Sequence, residues 1–142
     1  MWRFSLYPAH VDQPLERISG DKREQIVAIL SVFDPAVIYL FGSYGTAGEH
    51  AGSDLDLAVL PGTPMDPLVS FATSNELSNR LGMPVDLIDL TRASTVMAKE
   101  VLRTGIPLDV ADRLRCQSFE MRTLADYARL NEERTPVLLS AP

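Results

Sequence analysis

Hydrophobic and polar positions divide this chain into short strands separated by longer amphipathic segments. Residues 36–41 form an apolar run rich in β-branched and aromatic side chains, which predicts a buried strand. Residues 53–60 alternate at period two before becoming fully apolar, and residues 84–90 show a similar mixture. Both segments therefore predict strands, and residues 106–110 predict a short fourth one.

Helical periodicity occupies much of the remaining sequence. Helices are predicted at residues 15–33, 65–81, 92–104 and 112–133. Gly20 is expected to interrupt the first of these, with Asp21 capping its second part. Asp34 precedes a proline and is expected to end that helix, because the residue before proline avoids the α region. Gly82 and Gly105 are expected to close the second and third helices.

The order of these elements predicts an α/β (α+β) fold, with helices packed on a small mixed β-sheet. The first two strands are expected to be antiparallel neighbours, because no crossover helix separates them. We interpret residues 1–142 as one domain, with a core at 15–111 and a C-terminal helical segment at 112–134. Residues 1–14 are expected to be extended, and residues 135–142 to be frayed.

Composition is that of a globular protein, with 46% hydrophobic and 23% charged residues among 142. The net charge of −6 argues against direct binding to nucleic acid or to an anionic membrane surface, which requires a basic face. No apolar run approaches the roughly 18 residues of a membrane span. The single cysteine, Cys116, excludes an internal disulfide and a thiolate zinc cluster. We therefore expect a reduced, cytoplasmic protein.

The last predicted helix carries apolar residues on more than one side. Leu114, Met121 and Leu124 share a stripe with two alanines, whereas Phe119 and Tyr127 lie off it. A helix that is apolar around much of its circumference needs a second covering surface. The candidates for that cover are a second copy of the chain, a helical partner protein, or the chain's own domain.

Candidate chemistry begins in a long glycine-rich loop, residues 42–53, which follows the first strand. Gly42 at the strand end allows a sharp turn and a close backbone approach to a ligand. Successive N–H groups in such a turn form an anion site, and the Ser43 hydroxyl adds a further donor. The pair therefore predicts a phosphate-binding turn.

Three aspartates complete the candidate site. Asp54 and Asp56 are two residues apart on the second strand, so both side chains point to one face. Adjacent carboxylates favour a bound cation, and hard oxygen ligands suit Mg²⁺ held together with substrate phosphates. Asp86 on the third strand is the candidate base that accepts a proton from an attacking hydroxyl. Asp89 competes for this role, but it points to the opposite face of a regular strand.

These residues resemble the signature of the DNA polymerase β-like nucleotidyltransferase superfamily. The short chain and the stretch around the aspartates are similar to the minimal nucleotidyltransferases (MNT), over residues 17–110. Members of that group, the antitoxins of the MntA type, are commonly paired with a helical HEPN ribonuclease toxin. The resemblance implies Mg²⁺-dependent transfer of AMP from ATP to a tyrosine hydroxyl of that partner, which neutralises the toxin.

The resemblance also implies a role for each residue of the signature. Gly42 and Ser43 would hold the triphosphate, and Asp54 and Asp56 would bind Mg²⁺. Asp86 would be the third carboxylate, acting both as metal ligand and as base.

One position departs from the pattern of the family. Many relatives carry an arginine three residues after the serine, where this chain has Thr46. The cations that would substitute for it are Arg80, Arg92, Lys99 or Arg103. The missing arginine favours an alternative function, that of an antitoxin that blocks its toxin by binding alone. The three intact carboxylates argue against this alternative. Transfer to a small molecule, as in aminoglycoside nucleotidyltransferases, is disfavoured because the chain is too short for an acceptor domain.

Overall fold

A computed structural model describes residues 18–42 and 54–140 of the chain, with side chains up to residue 134. Its strands are β1 (Val37–Phe41), β2 (Leu55–Leu60), β3 (Val85–Asp89) and β4 (Ile106–Val110). Its helices are α1 (Gly20–Leu30), extended by a 3₁₀ turn at Ser31–Phe33, α2 (Pro67–Leu81), α3 (Thr95–Thr104) and α4 (Arg113–Ser140). Each predicted strand is confirmed, including the short fourth one.

The described strands form one mixed sheet in the order β3-β2-β1-β4. β1 is antiparallel to both β2 and β4, so the expected antiparallel pairing of the first two strands is confirmed. β2 and β3 are parallel, and α2 provides the crossover that parallel neighbours require. This parallel pair brings the starts of β2 and β3 to the same edge of the sheet.

Helices cover both faces of the sheet. Leu57 of β2 packs with Leu77 of α2 and with residues of α1 in one core. Ala58, the next residue, packs with Val101 of α3 and with Cys116 of α4 in a second core. Because both faces are buried, the strands have the nearly continuous apolar sequence that made them recognisable.

The start of α1 corrects one prediction. Ser19, and not Asp21, is the N-cap: its side chain accepts a hydrogen bond from the Lys22 backbone N–H. The serine hydroxyl satisfies a first-turn donor directly, and Asp21 lies inside the first turn. Asp34 follows the 3₁₀ turn with a left-handed φ of 47° and thus ends the helical segment before Pro35.

The ends of the other helices follow the predicted glycines, with one exception. Gly82 closes α2 with φ of +72°, and Gly105 closes α3. The prediction that residues 135–142 are frayed is wrong for 135–140, because α4 continues to Ser140. Pro136 lies within this helix although it has no backbone N–H to donate to the preceding turn.

Some predictions fall outside the described residues. These include the extended segment 1–14, the loop positions 43–53 and residues 141–142. The division into one domain with a core at 15–111 stays a prediction. None of the described helices is both long and apolar enough to span a bilayer.

Candidate active site

Asp56 and Asp86 lie side by side at one edge of the sheet. Their Cα atoms are register partners on the parallel strands β2 and β3, so both side chains point to the same face. Asp54 immediately precedes β2 and is two residues before Asp56, which predicts the same direction for its side chain. Asp54 and Asp86 are exposed, whereas Asp56 is half-buried. We call these three residues the carboxylate cluster.

Asp56 is the residue of this cluster whose pKa is shifted by its surroundings. Partial burial raises the pKa of its carboxyl above the ordinary value of 3.8, and the negative charges of Asp86 and Asp54 raise the pKa further. The carboxylate form of Asp56 is thus disfavoured by its surroundings in the protein alone. A cation placed among the three groups would attract each carboxylate and offset their mutual repulsion, which favours a metal or a cationic ligand here.

Gly42 packs directly against the cluster. Phe41, the last residue of β1, is the register partner of Asp56, and Gly42 follows it with a left-handed φ of +82°. A Cβ atom at this position would collide with Oδ2 of Asp56. The sequence predicted that Gly42 brings backbone close to a phosphate. The structure adds a requirement that sequence reasoning missed, since the glycine also makes room for a carboxylate of the next strand.

Asp89 lies apart from the cluster. It is the register partner of Val59, which belongs to the core on the opposite face of the sheet. Its Oδ1 accepts hydrogen bonds from the backbone N–H of Thr91 at 2.9 Å and from the Thr91 hydroxyl at 2.6 Å. Oδ2 lies 3.7 Å from Nε of Arg92. Asp89 therefore stabilises the turn after β3, and Asp86 is the third-strand carboxylate beside Asp56.

Two of the four candidate replacement cations lie away from the cluster. Arg80 is on α2 and lines a shallow groove with Asp21 and Glu24 of α1, on the opposite face of the sheet. Arg92 follows the end of β3, whereas Asp86 is near its start. Neither arginine is therefore placed to replace the one missing at position 46.

The other two cations are on α3, on the same face as the cluster. The C-terminal end of α3 reaches the same edge of the sheet, because Ile106 pairs with Leu40 next to the end of β1. Arg103 forms an ion pair with Glu100, and Lys99 lies over the Tyr127 ring at 4.8 Å from its centroid. Of the four candidates, these two are on the helix that covers the same face of the sheet as the carboxylates.

The cluster fits Mg²⁺ as a metal shared with a substrate. Within residues 18–42 and 54–134, no three His, Cys, Asp or Glu side chains are close enough to hold a metal ion by themselves. Mg²⁺ rarely uses an all-protein cage, however, and is usually bound by one or two carboxylates, water and substrate phosphates. Two neighbouring carboxylates and a raised Asp56 pKa match that mode of binding. Ser43 lies outside the described residues.

Comparison with known proteins agrees with this geometry. The sequence pattern of the family described as polymerase beta, nucleotidyltransferase, matches residues 24–113. The chain belongs to this family. The matched segment contains all four strands and the carboxylate cluster, so the resemblance and the expected fold are both confirmed.

A curated relative is also similar to this chain. It is the protein adenylyltransferase MntA of Shewanella oneidensis, 34% identical over 102 residues, which cover 72% of this chain and 73% of the relative. The similarity thus extends over most of both proteins.

Solved structures show the same architecture. A toxin–antitoxin structure with AMP-PNP contains a chain that matches with a TM-score of 0.72 and 32% identity, covering 82% of this chain and 94% of that one. A complex of tri-AMPylated Shewanella oneidensis HEPN toxin with MNT antitoxin matches with a TM-score of 0.68 and 31% identity. That match covers 82% of this chain and 92% of the other.

Proposed function

We propose that this protein is an adenylyltransferase that transfers AMP from ATP to a tyrosine hydroxyl of a cognate HEPN toxin and thereby acts as its antitoxin. The observation that carries the proposal is the pairing of Asp56 with Asp86, beside Asp54 and against Gly42, in a nucleotidyltransferase fold. Support for the acceptor comes from the related MntA and from the AMPylated toxin bound to an MNT antitoxin. This function implies a cytoplasmic location, where ATP is available.

Asp54 and Asp56 are the residues that would hold Mg²⁺ together with the triphosphate, and Asp86 would be a further ligand. Bound there, Mg²⁺ would neutralise charge on the phosphates and orient them for displacement. Gly42 supplies the close backbone approach, and Ser43 a hydroxyl donor to a phosphate oxygen. The half-burial of Asp56 limits the water that would otherwise screen these charges.

The transfer itself is a substitution at the α-phosphorus of ATP. The tyrosine oxygen forms a bond to that phosphorus, and the bond between the α-phosphorus and the bridging oxygen breaks to release pyrophosphate. Asp86 accepts the proton of the tyrosine hydroxyl on a carboxylate oxygen. Its exposure leaves this oxygen accessible to a side chain of a second protein.

Incubation with labelled ATP and Mg²⁺, with and without a candidate HEPN toxin, tests this proposal. Asp54→Asn is the informative variant, because Asp54 is exposed and its replacement should not disturb folding. Label that moves to the HEPN protein, and is lost in the variant, would support the enzyme. A tight complex without transfer, formed equally by the variant, would instead identify an antitoxin that acts by binding alone.

A further inference from the structure

A groove with polar and apolar lining residues lies at the end of the sheet opposite to the carboxylate cluster. It is a groove of about 510 Å³ between the start of α3 and the first turns of α4, and we call it the α3–α4 groove. Its floor includes Leu60 at the end of β2 and Leu90 after β3, whereas Asp56 and Asp86 lie near the starts of those strands. The groove and the cluster are thus separated by about 13 Å along β2, at a rise of ~3.3 Å per residue.

A buried hydroxyl in this groove has no hydrogen-bond partner among the described residues. Thr123 of α4 lines the groove and is 5% exposed, yet no described residue forms a hydrogen bond with its hydroxyl. Two other helical threonines donate to a carbonyl of their own helix. Thr73 of α2 donates to the Val69 carbonyl at 2.7 Å, and Thr104 of α3 donates to the Glu100 carbonyl at 2.9 Å. A buried hydroxyl without a partner is costly, which indicates a polar ligand in the groove.

The charges around the groove favour an anion. Arg122 lines it and forms no ion pair with any residue of the described part. Arg115 donates to the Pro61 carbonyl at 2.8 Å, which holds its guanidinium at the groove. Asp126 is the one carboxylate among the described lining residues, and it forms an ion pair with Arg129 at 3.2 Å. In a protein of net charge −6, this groove therefore has a local excess of positive charge.

The N-terminal end of α3 adds to the positive electrostatic potential of the groove. Ser94 caps the helix by accepting from the Met97 N–H at 3.1 Å. The N–H of Thr95, which lines the groove, has no acceptor among the described residues and lies at the positive end of the helix dipole. Phe119 and the two leucines of the floor supply an apolar surface beside these donors.

We propose that the α3–α4 groove binds a small phosphate monoester with an aromatic or aliphatic body. The tetrahedral oxyanion accepts hydrogen bonds from Arg122, from the start of α3 and from the Thr123 hydroxyl, and the organic body lies on Phe119. Several donors from different elements in one groove suit a tetrahedral phosphate better than a planar carboxylate. The site is independent of the proposed transfer reaction, because it lies at the other end of the sheet.

Titration of the full chain with phenyl phosphate, followed by amide resonances in NMR, tests this site. We expect the largest shifts at Thr95, Arg122 and Thr123. Arg122→Gln should weaken binding about tenfold, the effect of one lost charge-assisted hydrogen bond. Arg134→Gln removes the same charge on α4 outside the groove and should change the affinity less than about twofold.

Thr123→Val separates a binding role from a structural one. Because the hydroxyl has no partner among the described residues, the variant should have a thermal midpoint at least as high as that of the natural chain while binding phenyl phosphate more weakly. Shifts confined to the carboxylate cluster, unchanged affinity in Arg122→Gln, or a lowered midpoint with unchanged binding in Thr123→Val would overturn the proposal. Equal binding of the neutral benzyl alcohol would also overturn it, since the groove would then be apolar only.

Discussion

Asp56 and Asp86 are register partners on adjacent parallel strands, and their carboxylates face the same side of the sheet. Backbone hydrogen bonding between β2 and β3 fixes the positions of their Cα atoms, so the two side chains start from neighbouring points on the sheet. The sheet thus holds two negative groups together at an energetic cost. In this protein we interpret that cost as the basis of cation binding.

Asp56→Asn tests that interpretation through activity. The substitution keeps the shape of the side chain and removes one charge. We expect a loss of transfer of at least about 100-fold, because several kcal/mol of charge stabilisation disappear with a metal ligand. Labelled AMP transfer to the HEPN protein is the measurement. Retention of more than a tenth of the activity would contradict a metal-binding role for Asp56.

The same residue predicts how stability depends on pH. The pKa of Asp56 in the folded state is raised above 3.8, the ordinary value expected in the unfolded state. At pH values between the unfolded-state pKa and the folded-state pKa, the folded state therefore binds more protons than the unfolded state. The free energy of unfolding should therefore fall as the pH rises through this window, and this contribution should vanish in Asp56→Asn. Denaturation at a series of pH values without Mg²⁺ measures it. Added Mg²⁺ and ATP should reduce the loss, and an identical pH profile in the variant would refute the assignment.

Gly42→Ala should weaken both folding and transfer. A left-handed residue with a Cβ costs about 1–2 kcal/mol, and here the methyl group also displaces Oδ2 of Asp56. A double-mutant cycle with Asp56→Ala, measured by denaturant unfolding, separates the clash with Asp56 from the cost of the left-handed backbone. Gly42→Ala should cost less in the Asp56→Ala background, by at least about 0.5 kcal/mol. Additive effects would show that the glycine serves only the backbone turn.

Asp86→Asn and Asp89→Asn form a matched pair on one strand. Each removes one negative charge from β3, but only Asp86 faces Asp56. We expect Asp86→Asn to lower the rate of transfer by at least about 100-fold, the usual contribution of a general base. Asp89→Asn should keep nearly full activity, since an amide oxygen can still accept from Thr91. The reverse order of the two activities would reassign the base to Asp89.

Asp66→Ala is expected to affect stability without affecting transfer. Asp66 caps α2 by accepting from the backbone N–H groups of Leu68 and Val69, at 2.9 and 3.3 Å. Loss of such a cap costs about 1 kcal/mol, measured by denaturant unfolding. Since α2 covers the face of the sheet opposite to the cluster, initial rates at low temperature should stay unchanged. A drop in these rates would mean that α2 contributes to the site.

Local sequence determined the elements of this protein. The strands were recognisable because burial on both faces leaves nearly continuous apolar runs, as at residues 36–41. The sequence predicted that Asp54 and Asp56 share a face, because successive side chains of a strand point to opposite faces of the sheet. Gly82 predicted a helix end, because a left-handed residue at that position favours glycine. The cap of α1 is a case where the local signal was wrong, because Asp21 was predicted and Ser19 is the N-cap.

Tertiary structure decided which distant residues meet. The position of Asp86 beside Asp56 depends on the parallel register of β2 and β3, which is a property of the folded sheet and not of either segment. The collision that excludes a side chain at Gly42 arises in the same way. The α3–α4 groove, lined by the buried Thr123, exists only because two helices pack at one end of the sheet. The sequence specifies the residue types and their local directions, and only packing determines which of them come together.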